Sequence, residues 1–301
     1  MTKHLLSLYT RTPLHVGCGT SVDVVDLPIM RERITNFPMI PSTSIKGVLR
    51  QAGRDFFATD AGAKAGYTKT TNDVLFGNKD DTQKDAKDKD ILHAGCIQIM
   101  EAKLLAFPVR SLAGCFAWLT CPAALHRFQR DTGKTFDIPD VAKDEAIVAK
   151  GSELVGEGQN KVVLEEYALN SKHDEKHTKV VETLQPLLTD TLWLDKLEKR
   201  LAILHDEDFQ HFASTCTEVV ARIVINPETR TNTNLFNQEN VPCETLFYTV
   251  LQVLKARRNG SDGAPGDHLV ALLMANPTLQ IGGDETTGHG FCEVAHKTLN
   301  A

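Results

Sequence analysis

Stretches of period-two alternation recur along this chain between helical stripes, with no regular strand–helix repeat linking them. That arrangement limits the fold most. A steady βαβ alternation builds a parallel sheet, and its absence leaves the α+β class. Residues 4–11 alternate, with Leu6, Leu8 and Thr10 on one side, and Pro13 ends the run. From Pro41 the pattern changes: Ile45, Val48, Leu49, Ala52 and Phe56 follow helical spacing, and Ser42, Thr43 and Ser44 are candidate caps. Residues 97–101 and 116–120 alternate again, and residues 122–130 read as a short helix opened by Pro122. Later come helical patterns at 191–204, 208–216 and 268–276, and strand patterns at 162–164, 219–225, 244–251, 279–281 and 291–294. A ferredoxin-like (RRM-like) core with insertions fits the first strand, the long helix and the later strands.

At 301 residues the chain can bury a full core, and a single domain over 1–301 is the simplest reading. Within it, residues 58–90 read as an exposed insertion ending in a Lys/Asp run, with Val74-Leu75-Phe76 as the one piece able to pin it down. Residues 131–215 read as a partly helical insertion. The polar residues 226–243 lie between the strand pattern at 219–225 and its expected partner at 244–251. So long an excursion reads as a projecting hairpin arm or as a surface loop. No apolar run reaches the ~20 residues that span a bilayer, and residues 1–10 lack a signal-peptide pattern. The seven cysteines form no C-x-x-C pair and read as reduced, mostly buried thiols, Cys115 and Cys121 in the core, so we expect a cytoplasmic protein without a membrane partner. His173 and His177 have metal-ligand spacing, but their charged neighbours favour a solvated segment.

The formal charge is −6, which argues against a freestanding basic nucleic-acid binder. Locally the sign reverses. Between Leu27 and Arg54 stand Arg31, Arg33, Lys46, Arg50 and Arg54 against Glu32 alone. Lys46, Arg50 and Arg54 recur every four residues and share one helix face. A helix start carrying hydroxyl residues, with a Lys one turn in, is either a phosphate seat or a solvated charged face. The run Gly282-Gly283-Asp284-Glu285-Thr286-Thr287-Gly288-His289-Gly290 is either a tight turn or an anion nest of backbone N–H groups; it is neither a P-loop nor a dinucleotide fingerprint. A lone Asp before Leu-Pro, as at Asp26, is by itself an ordinary turn residue.

The stretch Asp26-Leu-Pro-Ile-x-Arg-x-Arg, followed by Phe-Pro-Met-Ile-Pro-Ser-Thr-Ser-Ile-Lys-Gly-Val-Leu-Arg, resembles the signature of the RAMP superfamily, the RNA-binding subunits of CRISPR effector complexes. Within it the likeness runs to the repeated backbone subunits of type III-B (Cmr) complexes, and it covers residues 5–56, 219–250 and 279–294. Ser42-Thr43 departs from the Gly-Ser of many relatives. The resemblance implies a RAMP core with a thumb hairpin at 226–243, whose Leu235, Phe236 and Val241 form an apolar wedge in a guide–target duplex. It implies guide-RNA binding by Ser42, Ser44, Lys46, Arg50, Arg54 and by Gly282, Gly283, Gly288 and Gly290. It further implies metal-dependent cleavage of target RNA, with Asp26 as catalytic residue and ligand of a divalent cation (Mg or Mn), and with His15 and Glu239 as further catalytic candidates. Asn237 stands where an aromatic residue is expected. The implied partners are guide RNA (crRNA), target RNA, further copies of this chain in a filament and other effector subunits. The alternative is a non-catalytic RNA-binding scaffold of such a complex.

Overall fold

The N-terminal strand lies inside the main sheet, and its residues feed two separate cores. In the computed structural model, residues 2–21, 25–78, 93–156, 158, 160–257 and 264–299 are described. Strand β1 (Thr2–Thr10) is bonded on both edges. Leu6 and Leu8 enter one hydrophobic cluster, and Leu5 and Tyr9 the other. Alternate side chains of a strand point to opposite faces, so a strand buried on both faces needs apolar residues at both parities.

After β1 come β2 (Met39–Ile40), α1 (Ser42–Phe57), α2 (Asp60–Lys64), α3 (Lys69–Phe76), β3 (Gly77–Asn78), β4 (His93–Ala94), β5 (Ile97–Ile99), β6 (Ala102–Arg110), β7 (Phe116–Thr120) and α4 (Pro122–Thr132). The middle of the chain supplies β8 (Glu145–Val148), β9 (Lys161–Leu164), β10 (Tyr167–Lys172), α5 (Lys176–Leu184), α6 (Thr191–Arg200), β11 (Leu201–Leu204) and α7 (Asp206–Thr215). The last third holds β12 (Glu218–Ile225), β13 (Asn232–Asn240), β14 (Leu246–Val253), α8 (Pro265–Ala275), β15 (Thr278–Gln280) and β16 (Phe291–Leu299). The main sheet runs β15-β16-β1-β14-β6-β7-β11-β8-β10-β9, with β2 and β5 paired at its side. It is mixed: β11 pairs β7 and β10 pairs β8 in parallel, and the other neighbours in this order are antiparallel. No helix among the described residues is long and apolar enough to cross a membrane.

Several sequence expectations are corrected. The strand at 219–225 does not pair with 244–251. β12 pairs with β13, so the hairpin spans 218–240 rather than 226–243. β14 instead pairs with β1, because seven of its eight residues are buried while β12 is mostly exposed. Leu201–Leu204 is a strand rather than the end of the α6 helix, all four residues being buried between β7 and β8. Residues 131–215 are therefore partly helical but also extend the sheet. β6 carries no alternation signal, since eight of its nine residues are buried and it contains Pro108. Of the insertion at 58–90, residues 79–90 lie outside the described residues; Tyr67 and residues 72–78 are buried rather than exposed, with Val74-Leu75-Phe76 pinning the segment as expected. Pro41, not a hydroxyl residue, occupies the α1 N-cap position, and no side chain caps the helix. Around His173 and His177 the segment is exposed as expected, Lys172, His173, Glu175 and Lys176 included, and His177 alone turns inward, its Nε2 3.0 Å from Leu201 O. Cys18 and Cys115 are exposed; Cys96, Cys121 and Cys292 are buried.

Gly53 sets how closely α3 approaches α1. A Cβ there would overlap the Asn72 amide and stand 2.7 Å from the Tyr67 hydroxyl. Tyr67 in turn donates to Asn72 Oδ1 at 3.0 Å. Gly53→Ala is expected to destabilise the fold by about 1–3 kcal/mol, read from urea denaturation.

Glu244, at the entry to β14, accepts from the Tyr9 hydroxyl. Burial, and then the nearby Glu293 charge, push its carboxyl up to about 7. Glu293 itself is held by Arg11 and Thr189. Because the folded pKa lies above the unfolded value of about 4.3, the folded state binds the proton more tightly between the two. Stability therefore falls as pH rises from about 4.3 through about 7. Glu244→Gln keeps an acceptor for Tyr9. In thermal melts from pH 5 to 8, its stability relative to the parent chain should rise with pH and level off above about 7.

Candidate nucleic-acid interface

The loop carrying Asp26 is zipped onto the base of the β12–β13 hairpin. Leu27 N donates to Asn237 O at 3.1 Å, and Glu239 N donates to Leu27 O at 3.0 Å. Where this short ladder ends, Asp26 Oδ2 accepts from Asn237 N at 2.7 Å. Among the described residues nothing bonds Asp26 Oδ1, so the half-buried carboxylate is oriented through one oxygen and keeps the other for a ligand.

Glu239 is turned inward. Its Oε2 accepts from Ile29 N at 3.0 Å; its Oε1 accepts from Arg31 Nη2 at 2.5 Å and from Thr217 Oγ1 at 2.7 Å. Its side chain is 9% exposed. The expectation of a catalytic Glu239 is therefore corrected: with both oxygens engaged, it supports the loop. Arg31 also donates to Ala213 O at 3.0 Å and Ser214 O at 3.3 Å, satisfying carbonyls at the C-terminal end of α7. In the sequence Arg31 counts only as one of five basic residues, since a structural arginine in a basic stretch looks like any other, and Ala213 and Ser214 carry no signal at all.

His15 stands beside the same strand, its Nδ1 2.7 Å from Glu239 O. A carbonyl only accepts, so Nδ1 carries the proton and a neutral ring keeps its lone pair on Nε2. Gly17 leaves that nitrogen room: a Cβ there would sit 2.7 Å from it.

The glycine loop closes on the His15 loop. Gly283 N donates to His15 O, and Gly290 N to Pro13 O, both at 2.9 Å. Gly282 and Gly290 have φ of +85° and +77°, and a Cβ at either would overlap a backbone carbonyl, of His15 and Ile281 respectively. Gly288 (φ +83°) has open space around it. Asp284, itself at φ +62°, ties the loop to the hairpin through Gln238 Nε2 at 2.7 Å and Arg222 Nη2 at 3.2 Å. Asp284 lay within the quoted glycine run, but nothing there distinguished it from a turn residue.

Thus His15, Asp26, Gly282, Gly283, Gly290 and the hairpin base converge. Ser42, Ser44 and Lys46 lie on the first two turns of α1, and Arg50 and Arg54 further along open on a separate cavity shared with α3. Leu235 is 60% exposed and Phe236 is half-buried, alongside exposed Val219, Ile223 and Ile225 on β12. Val241 cannot be a wedge: it is buried and exchanges two backbone bonds of 2.9 Å with Leu14. For a cation, the described residues contain no group of three or more ligating side chains. The donor set at Asp26 is one carboxylate oxygen, which forms no resident metal cage and would hold a cation only as a mostly hydrated Mg-type ion.

The RAMP superfamily matches residues 7–293. The chain belongs to this superfamily. It is 36% identical over 309 aligned residues, 99% of this chain and 97% of the other, to the CRISPR system Cmr endoribonuclease Cmr4 of Pyrococcus furiosus. Among solved structures it is similar to oligomeric Cmr4 from that organism, at a TM-score of 0.73 and 32% identity, with both chains fully covered. A subunit of type III-B Cmr-beta bound to cognate target RNA shares the fold, at a TM-score of 0.69 and 16% identity over 98% of this chain and 96% of that one. The RAMP chain described here thus has the mixed α+β architecture of Cmr4 structures.

Arg31 and Glu239 form a buried ion pair beneath the Asp26 loop. Arg31→Ala strands the carboxylate and is expected to cost about 3–5 kcal/mol in urea denaturation. Glu239→Gln should cost less, because Arg31 keeps its three carbonyl partners, Asn36 O included.

Proposed function

We propose that this RAMP protein is a repeated backbone subunit of a type III-B CRISPR ribonucleoprotein, binding guide RNA and cleaving the complementary target RNA. The observation that carries this reading is the convergence of Asp26, His15, the hairpin base and the glycine loop, together with 36% identity to an endoribonuclease subunit. The elements β1-α1-β6-β14-α8-β16, with strand order β16-β1-β14-β6, read as a ferredoxin-like core. Guide RNA lies along Ser42, Ser44, Lys46, Arg50, Arg54 and the loop holding Gly282, Gly283, Gly288 and Gly290. The β12–β13 hairpin acts as the thumb, with exposed Leu235 and half-buried Phe236 splaying the duplex. Its partners are guide RNA, target RNA, copies of itself and other effector subunits, in the cytoplasm.

In cleavage, the 2′-OH next to the scissile phosphate attacks phosphorus in line and the P–O5′ bond breaks. This leaves a 2′,3′-cyclic phosphate and a 5′-OH end. In this reading His15 Nε2 takes the 2′-OH proton, and the departing 5′ oxygen gains one from water. Asp26 Oδ1 would hold a divalent cation, Mg or Mn, which supplies neutralisation of charge on the phosphoryl oxygens. Sequence is read by guide pairing, and the protein grips backbone and shape.

The second reading, a non-catalytic scaffold, draws on the inward turn of Glu239 and on the absence of a three-ligand cluster among the described residues. Asp26→Ala in a reconstituted complex separates the two. Cleavage of target RNA should fall by about 100-fold or more with guide retention unchanged. Undiminished cleavage would establish the scaffold.

A further inference from the structure

Asp284 occupies a conformation that the glycine loop elsewhere gives to glycine. Its φ is +62°, in the left-handed region, although the loop has glycine at four other positions. Asp tolerates that region better than most residues, and bonds to its side chain offset the cost. Asp284 Oδ2 accepts from Gln238 Nε2 on β13 at 2.7 Å and pairs with Arg222 Nη2 on β12 at 3.2 Å. One carboxylate oxygen thus clasps both strands of the hairpin. Each partner is braced in turn. Gln238 is 2% exposed, and its Nε2 also donates to Asn240 Oδ1 at 3.0 Å. Arg222 Nη2 stands 3.2 Å from His289 Nε2, at the far end of the same loop.

The clasp bears on Asp26 through the strand it holds. Asn237, Gln238 and Glu239 are consecutive on β13, and successive side chains of a strand point to opposite faces. The backbone of residues 237–239 and the Glu239 side chain hold the segment from Asp26 to Arg31. The Gln238 side chain turns the other way, to Asp284. The seat of Asp26 is thereby gripped from both faces of the hairpin base. We propose that Asp284 is a positioning residue for target cleavage. By holding Gln238 and Arg222 it fixes the rotation of the hairpin base, and so the place of the Asp26 carboxylate relative to RNA seated on the glycine loop. It touches no reacting atom and acts through Gln238 and Asn237. A misplacement of about 1 Å at the reacting centre costs on the order of 100-fold in rate. This inference rests on the endoribonuclease reading above and deepens it.

The test uses the reconstituted complex with guide RNA and compares the single-turnover rate of target cleavage with target affinity from gel shift. Asp284→Gly removes the clasp at a position where glycine keeps the backbone conformation without strain. It should slow cleavage by about 10- to 100-fold while target affinity and guide retention stay within about twofold of the parent, the pattern of a lost positioning contact. Asp284→Asn keeps an acceptor for Gln238 and Arg222 and should recover the rate to within about threefold. Arg222→Met should slow cleavage too, and adding it to Asp284→Gly should cost less than the two losses combined, because both break one clasp. Full-rate cleavage by Asp284→Gly overturns the proposal. So does a loss that tracks guide or target binding, which makes Asp284 a binding residue. A loss that Asp284→Asn leaves in place, or strict additivity with Arg222→Met, overturns it as well, since the bonds to the hairpin then do not carry the effect. A parent complex that binds RNA and cuts no target sinks the functional reading and this inference together. A cutting parent with an equally fast Asp284→Gly removes this inference alone.

Discussion

One buried carboxylate holds this molecule's open face together. Glu239 bonds to Ile29 N, Arg31 and Thr217, and its backbone carbonyl holds His15. Four segments distant in sequence therefore meet on one residue: the His15 loop, the Asp26–Arg31 segment, the lead into β12, and β13 itself. A buried charge is tolerated only when paired and bonded on all sides, so these partners are not interchangeable with water. Arg31 passes the constraint on to the end of α7 through two helix carbonyls. Glu239 is buried and Asp26 is half-buried. The buried acid fixes the loop, and among the described residues the half-buried one keeps an oxygen with no bond.

This arrangement sits on a sheet that is buried on both sides. β1, β6 and β14 divide their side chains by parity between two cores: Leu8, Leu104 and Phe247 on one side, Tyr9, Leu105 and Tyr248 on the other. A strand wedged this way cannot slip by one residue without exchanging both cores at once. That rigidity reaches the site at the strand ends, where Thr10, Pro13 and Leu14 leave β1 and bond to Thr245, Gly290 and Val241. The glycine loop is therefore seated on the end of a locked strand. Gly282 and Gly290 allow the close approach that this seating requires.

The same parity argument explains what could be read from the sequence. α1 was legible because its apolar stripe is buried on one side only, with Ile45, Leu49 and Phe56 inward. β6 was not, because burial on both faces leaves no alternation, and Pro108 reads as a breaker. The hairpin was half legible. β12 has the composition of a core strand, so the sequence paired it with the core strand β14; in the fold its apolar residues Val219, Ile223 and Ile225 face outward and it pairs with polar β13. Composition reports apolarity and not which partner covers it. Asp26 and Glu239 show the same limit for chemistry. Both are acids in matching segments, and only three-dimensional hydrogen bonding separates an open carboxylate from a structural one.

Charge pairing carries the last step. The arginines that build the site, Arg31 and Arg222, are each matched to a carboxylate, Glu239 and Asp284, and so contribute little net field. Lys46, Arg50 and Arg54 form no ion pair with the described residues. In a chain with a formal charge of −6, such a local run of cations would favour a polyanion, while the paired arginines set geometry. The division fits the proposed task. A strand held by cations and backbone N–H groups can be gripped whatever its sequence. The Asp26 loop and the glycine loop are fixed by the Arg31–Glu239 and Arg222–Asp284 pairs, which salt screens less because they are partly or largely withdrawn from solvent. In the proposed function, grip and positioning thereby rest on different residues.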